Sequence, residues 1–144
     1  MVAVVALLGA GFALSGLGVA AGLRRRLVAP ATPGRRVLSR DGTPLPGAVV
    51  DVWQADDQGF YDVQQPEVQP PGNGRGLFTA DGEGRFWFRT CVPSPYPIPT
   101  DGPVGGLLAA TGRHPYRPAH IHFIASAAGH TPVTTHIFVA GSAY

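Results

Sequence analysis

His120 and His122 stand two residues apart in the run Arg117-Pro118-Ala119-His120-Ile121-His122-Phe123. In a strand, side chains alternate between faces, so the two imidazoles would share one face while Ile121 and Phe123 shared the other. Two imidazoles side by side suit a transition metal; the same pair also suits a solvated strand edge. Arg117 adds a permanent cation three residues before the first imidazole. A guanidinium there can stabilise an anion formed beside a metal, and a structural ion pair is its competing role. A carboxylate such as Asp51 would complete a zinc hydrolase set instead.

Such a site needs strands to hold it, and the composition supplies them. The 144 residues give room for one domain with a modest core. With 20 Gly, 15 Pro and only 14% charged side chains, the chain favours turns and short strands, hence an all-β fold. Strands are predicted over 36–39, 48–54, 77–79, 85–92, 120–126 and 133–139, with the third and fourth forming a hairpin about Asp81-Gly82-Glu83-Gly84. Residues 62–75 read as a long loop without regular structure, and 104–110 as a short helix. Six or so strands separated by turns fit a β-sandwich with long loops and one short helix.

The formal charge is +2, but three of the eleven basic residues are the consecutive Arg24, Arg25 and Arg26. With no aromatic–basic stripe elsewhere, nucleic acid is excluded as a partner. The single Cys91 excludes an internal disulfide framework. Residues 1–23 carry no charged side chain and are long enough to cross a bilayer. Their many Gly and Ala residues make membrane contact the less favoured reading and a cytoplasmic chain the favoured one. Residues 1–34 are taken as an apolar leader and Pro/Gly linker, and 35–144 as the folded domain.

The run RPAHIHF resembles the histidine motif of the intradiol ring-cleavage dioxygenases, which include catechol, chlorocatechol, protocatechuate and hydroxyquinol dioxygenases. Upstream, Val92-Pro93-Ser94-Pro95-Tyr96 resembles the segment that carries one of that family's tyrosines. Asp51-Val52-Trp53-Gln54 followed by Gly59-Phe60-Tyr61 resembles the strand and turn that carry the other. The resemblance covers about residues 36–141. It implies an intradiol-dioxygenase-type β-sandwich binding Fe(3+) through Tyr61, Tyr96, His120 and His122. Tyr96 would act in catalysis as the tyrosine that leaves the metal, with Arg117 stabilising the activated substrate. The implied substrates are a catechol-type ring and O2, and the product a cis,cis-muconate-type dicarboxylate.

Tyr96 to Gly105 and the run Thr134-Thr135-His136-Ile137-Phe138-Val139 resemble the hydroxyquinol branch, so hydroxyquinol (benzene-1,2,4-triol) is the expected substrate, with catechol or chlorocatechol as the alternative. His136 is the candidate for the substrate pocket, or else an ordinary strand histidine. Members of that branch carry a helical N-terminal region that forms a homodimer contact, and nothing before Arg35 resembles it. The chain also stops at Tyr144, before a further Asp-x-x-Ala-Val-Phe segment, so the expectation is an incomplete catalytic domain. A reading of another class is a non-catalytic β-sandwich binding module, which gives no reason for Tyr61, Tyr96, His120 and His122 to occur together.

Overall fold

The computed structural model describes residues 35–144 in full; of the segment before them it describes only the backbone at Ala6–Leu8 and Arg26–Val28. The remainder of the apolar segment 1–23, and the linker at 29–34, lie outside the described residues. Among the described residues no helix is long and apolar enough to cross a membrane.

Among the described residues, eleven strands and one helix follow in order: β1 (Ala6–Leu8), β2 (Arg26–Val28), β3 (Arg35–Leu38), β4 (Val49–Gln54), β5 (Arg75–Thr79), β6 (Arg85–Phe86), β7 (Arg89–Cys91), β8 (Tyr96–Pro97), α1 (Pro103–Ala110), β9 (Tyr116–Arg117), β10 (His120–Ser126) and β11 (Val133–Phe138). The principal sheet is antiparallel with the order β11-β10-β4-β5. A second sheet has the order β1-β3-β6, while β2 pairs with β7 and β8 with β9.

Alternation decides which face of the principal sheet does what. Val50 and Val52 on β4, and Ile121, Phe123 and Ala125 on β10, are buried. They pack with Val37 and Phe86 of the second sheet in one hydrophobic cluster. The Phe86 and Phe123 rings meet edge to face across the two layers, with centroids 6.3 Å apart. Each such side chain stabilises the sandwich by about 1.5–3 kcal/mol on leaving water. The intervening residues, Asp51 and Trp53 on β4 and His120 and His122 on β10, therefore occupy the opposite face. The all-β sandwich with one short helix stands as the sequence led us to expect.

Two local expectations need correction. The runs around Asp81–Gly84 do not pair as a hairpin: β5 joins β4, and β6 joins β3 in the other sheet. Asp81 closes the tight turn by accepting from the Glu83 and Arg85 backbone N–H groups. The exit is then set by Gly84, whose positive φ of 73° brings its backbone against Val37; a side chain there would meet the Val37 carbonyl. The Val37 N–H donates back to the Gly84 carbonyl at 2.8 Å, so the turn is a corner between layers. The run 85–92 is moreover split at Trp87-Phe88, where Trp87 points to solvent and Phe88 turns inward beside Phe78. In the long loop, the 62–75 stretch contains a 3-10 turn at Asp62–Gln64, and Arg75 already belongs to β5. The helix starts one residue early because Pro103 suits the first helical position.

Candidate metal centre

The centre of the outer face is a row set by strand register. Arg75 of β5 faces Trp53 of β4, Trp53 faces His122 of β10, and His122 faces His136 of β11. Residues opposite one another in antiparallel strands share a face, so four strands deliver these side chains to one line. His120 sits two residues along β10 on the same face. It is only 1% exposed, covered by the rings of Tyr96, His136 and Phe138.

Two loops bring the tyrosines over this row. Asp56 organises the first: its carboxylate accepts from the N–H groups of Gln58 and Phe60, both at 2.9 Å. Gly59 takes a φ of +92°, and a side chain on it would lie 3.1 Å from the Pro95 carbonyl oxygen and 3.2 Å from Tyr96 Cβ. A glycine is thus needed both for the backbone angle and for the close approach of the two loops. The Ser94 hydroxyl then donates to the Asp57 carbonyl at 2.7 Å, and the Ser94 N–H to that of Asp56 at 3.0 Å, tying the loops together. Tyr61 is fixed by its own neighbours, its N–H donating to Gln64 Oε1 at 2.8 Å. Buried Asp62 accepts from Gly72 N–H and Arg75 Nε, which pins the loop that follows. Those contacts, the Gly72 N–H first, hold the Asp62 carboxyl below its ordinary range against the opposing effect of burial.

Tyr61, Tyr96, His120 and His122 converge as the motifs require. Tyr61 Oη lies 3.0 Å from Tyr96 Oη and 3.2 Å from His122 Nε2; Tyr96 Oη lies 3.4 Å from His120 Nε2; the two Nε2 atoms are 3.0 Å apart. Ligands about 2.0–2.1 Å from one ion sit roughly 2.9–3.4 Å from one another, so this quartet has the edges of a single coordination shell. His120 Nδ1 lies 2.6 Å from the Pro118 carbonyl oxygen. Donation to that oxygen fixes the tautomer and leaves Nε2 with its lone pair toward the quartet.

The electrostatics agree with a metal site awaiting neutral imidazoles. His122 is pushed down to about 4, by burial first and then by His120, Arg117 and His136. Burial likewise lowers His120, against the opposing effect of its bond to Pro118. Burial pushes the Tyr61 phenol up, reinforced by Tyr96, while Arg117 and Arg75 pull the other way. Two imidazole nitrogens and two phenol oxygens this close together fit one shared cation. The donor chemistry also discriminates: phenolate oxygens are hard and anionic and favour iron(III), whereas no group of three His, Cys, Asp or Glu among the described residues could hold a metal. Asp51 therefore completes no zinc set.

Arg117 Nη1 donates to Tyr96 Oη at 3.0 Å, on the rim of the quartet. His136 stands beside it, its ring centroid 5.4 Å from that of His120 and 5.6 Å from that of His122. All six candidates thus meet at one place. Sequence reasoning missed Trp53, whose ring stacks on His122, and the Pro118 carbonyl. Cross-strand register decides the first and backbone direction the second, and neither is written in a local motif.

The chain is similar to proteins already known. Residues 30–144 match the family described as Dioxygenase. Over 103 residues the chain is 61% identical to a hydroxyquinol 1,2-dioxygenase of Rhizobium sp., an alignment spanning 72% of this chain and 35% of the relative. Over 109 residues it is 53% identical to a 6-chlorohydroxyquinol 1,2-dioxygenase of Cupriavidus pinatubonensis, spanning 76% and 39%. The crystal structure of a hydroxyquinol 1,2-dioxygenase from Pseudomonas putida superposes with a TM-score of 0.69 at 50% identity, covering 76% of this chain and 38% of that one. The chain thus spans between a third and two fifths of the length of these relatives.

Proposed function

This chain belongs to the dioxygenase family of intradiol ring-cleaving type, and we propose that it supplies the iron(III) centre of an enzyme that opens hydroxyquinol with O2. The observation that carries the reading is the convergence of Tyr61, Tyr96, His120 and His122 within 3.0–3.4 Å. The family is generally iron-dependent, and the named activities of the similar proteins support hydroxyquinol as the ring. Residues 35–144 as the catalytic unit and a cytoplasmic setting belong to the same proposal.

Held by Tyr61, Tyr96, His120 and His122, iron(III) would supply the Lewis acid that the two diol oxygens chelate and that makes the ring reactive toward dioxygen, the product being a cis,cis-muconate-type dicarboxylate. The protein's share can be read from its side chains. Tyr96 offers a phenolic oxygen that both holds the metal and can take a proton from an arriving diol. Arg117, 3.0 Å from that oxygen, stabilises whichever partner bears negative charge as the proton moves. Tyr61, braced by Gln64 and flanked by His122, keeps its place through the exchange. His120, buried beneath its neighbours' rings, offers its nitrogen from a side closed to solvent. His136 is placed to hydrogen-bond a ring substituent, the feature that separates a triol from a diol.

The test loads the protein with iron(III) in air and follows the visible band, metal content and O2 uptake over hydroxyquinol, catechol, 4-chlorocatechol and protocatechuate. One iron per chain, a tyrosinate-to-iron(III) band and preference for hydroxyquinol are expected. Preference for catechol or chlorocatechol would replace the substrate; loading of zinc in place of iron would overturn the centre. A folded protein that takes up no metal would be a binding module.

A further inference from the structure

The two imidazoles of the centre are oriented by different means. His120 is held in the usual way for a ligating histidine, its remote nitrogen donating to a backbone carbonyl. His122 has no such support: among the described residues no hydrogen bond reaches its Nδ1, while its Nε2 faces Tyr61 and His120. The second torsion of a histidine side chain is broad and soft, so something else must keep the ring aimed.

The indole of Trp53 does so. Trp53 lies directly opposite His122 in the β4–β10 ladder, where side chains rise from Cβ atoms about 4.5–5.5 Å apart. Two flat rings standing up from such a pair meet face to face, and here they do, with centroids 4.7 Å apart and planes 1° from parallel. Rotation of the imidazole away from the quartet would drive its edge into the indole face. The stack also acts on charge. An imidazole that donates its lone pair to a trivalent metal becomes electron-poor, and the negative face of an indole attracts such a ring more than it attracts a neutral one. The contact therefore tightens on metal loading, which a simple apolar filler would not do.

We infer that Trp53 is the positioning residue for His122, replacing the missing hydrogen bond with an aromatic stack that favours the metal-bound imidazole. The inference rests on the iron-centre reading above. The test compares Trp53→Phe, which keeps a ring against His122, with Trp53→Leu, which keeps an apolar side chain without one. Each protein is loaded with iron(III), its visible band and EPR signal are recorded, and iron release to a strong chelator is timed. The melting temperature of each metal-free form reports any purely structural cost.

Trp53→Leu should release iron about tenfold faster than wild type, the scale for losing the outer support of a metal ligand. Its band and EPR rhombicity should shift, while Trp53→Phe stays nearer wild type in both. If Trp53→Leu does not fold, Trp53→Met supplies the ring-free comparison. Wild-type release and spectra in the ring-free variant would overturn the inference, as would equal losses in the Phe and ring-free variants. A wild-type protein that loads no iron would overturn the centre and this inference together; one that loads iron with indifferent variants would overturn this inference alone.

Discussion

Arg117 donates to the hydroxyl of Tyr96 at 3.0 Å, and its guanidinium carbon lies 5.9 Å from the centre of the same ring. The cation thus touches one of the four candidate ligands directly. Arg117→Ala should leave the four donors, and so the iron content, in place. Turnover should fall roughly 10²-fold, the effect of losing one preorganised electrostatic contact. Steady-state rates and metal analysis on the same preparation check it; unchanged turnover would leave Arg117 a structural brace.

Gly59→Ala should destabilise the protein by about 1–3 kcal/mol, because a residue with a side chain must be held at φ +92°. The strain falls on the contact with Pro95 and Tyr96, so Tyr96 should be displaced and iron affinity reduced as well. Urea denaturation and chelator competition measure the two effects separately.

Much of this site is legible in the sequence because strand alternation is a local rule. His120 and His122 share a face, with Ile121 and Phe123 on the other, as their spacing alone requires. Tyr61 and Tyr96 could be tied to that pair only through motifs, since their meeting depends on two loops joined by Ser94 and allowed by Gly59. What the sequence hid is pairing. Arg75, Trp53, His122 and His136 form one row only because four strands adopt a particular register, and no single segment contains that information. The absent hairpin at Asp81–Gly84 has the same cause: the turn residues make the turn, but the partners of β5 and β6 are chosen by the two sheets.

Asp62 should make stability depend on acid. Its folded carboxyl titrates below the ordinary value, chiefly through the Gly72 N–H, so its contribution is fully present above the unfolded value of about 3.9. As pH falls below that value and through the lower folded one, the contribution is lost. Asp62→Asn should flatten this acid limb and loosen the loop carrying Tyr61. Urea midpoints from pH 5 downward, in both proteins, test the slope.

His136→Gln should change which ring is preferred while leaving iron bound, since His136 adjoins the ligand rings without belonging to the quartet. Losing or redirecting one hydrogen bond to a ring hydroxyl is worth on the order of 1 kcal/mol. The ratio of kcat/KM for hydroxyquinol over catechol should therefore drop by about fivefold to tenfold. An unaltered ratio would make His136 an ordinary strand histidine.

The last prediction concerns the metal-free protein, where His122 is a buried base held down to about 4. In the unfolded chain its ordinary value is about 6.5. Above that pH the imidazole is neutral in both states and costs folding nothing. Between 6.5 and 4 the unfolded chain binds a proton that the folded chain refuses, so stability must fall as pH falls across this window. Below 4 the folded form is protonated too, and the dependence from this group ends. Iron takes up the lone pair that the fold already keeps unprotonated, so loading should protect the protein through the same window. Melting temperatures from pH 7.5 to 4.5, with and without iron(III), should diverge as the solution is acidified toward pH 5. His122→Gln should remove this contribution from the metal-free curve. A metal-free wild type whose melting temperature is flat across the window would show that His122 is solvated, and that its neutrality is not imposed by the fold.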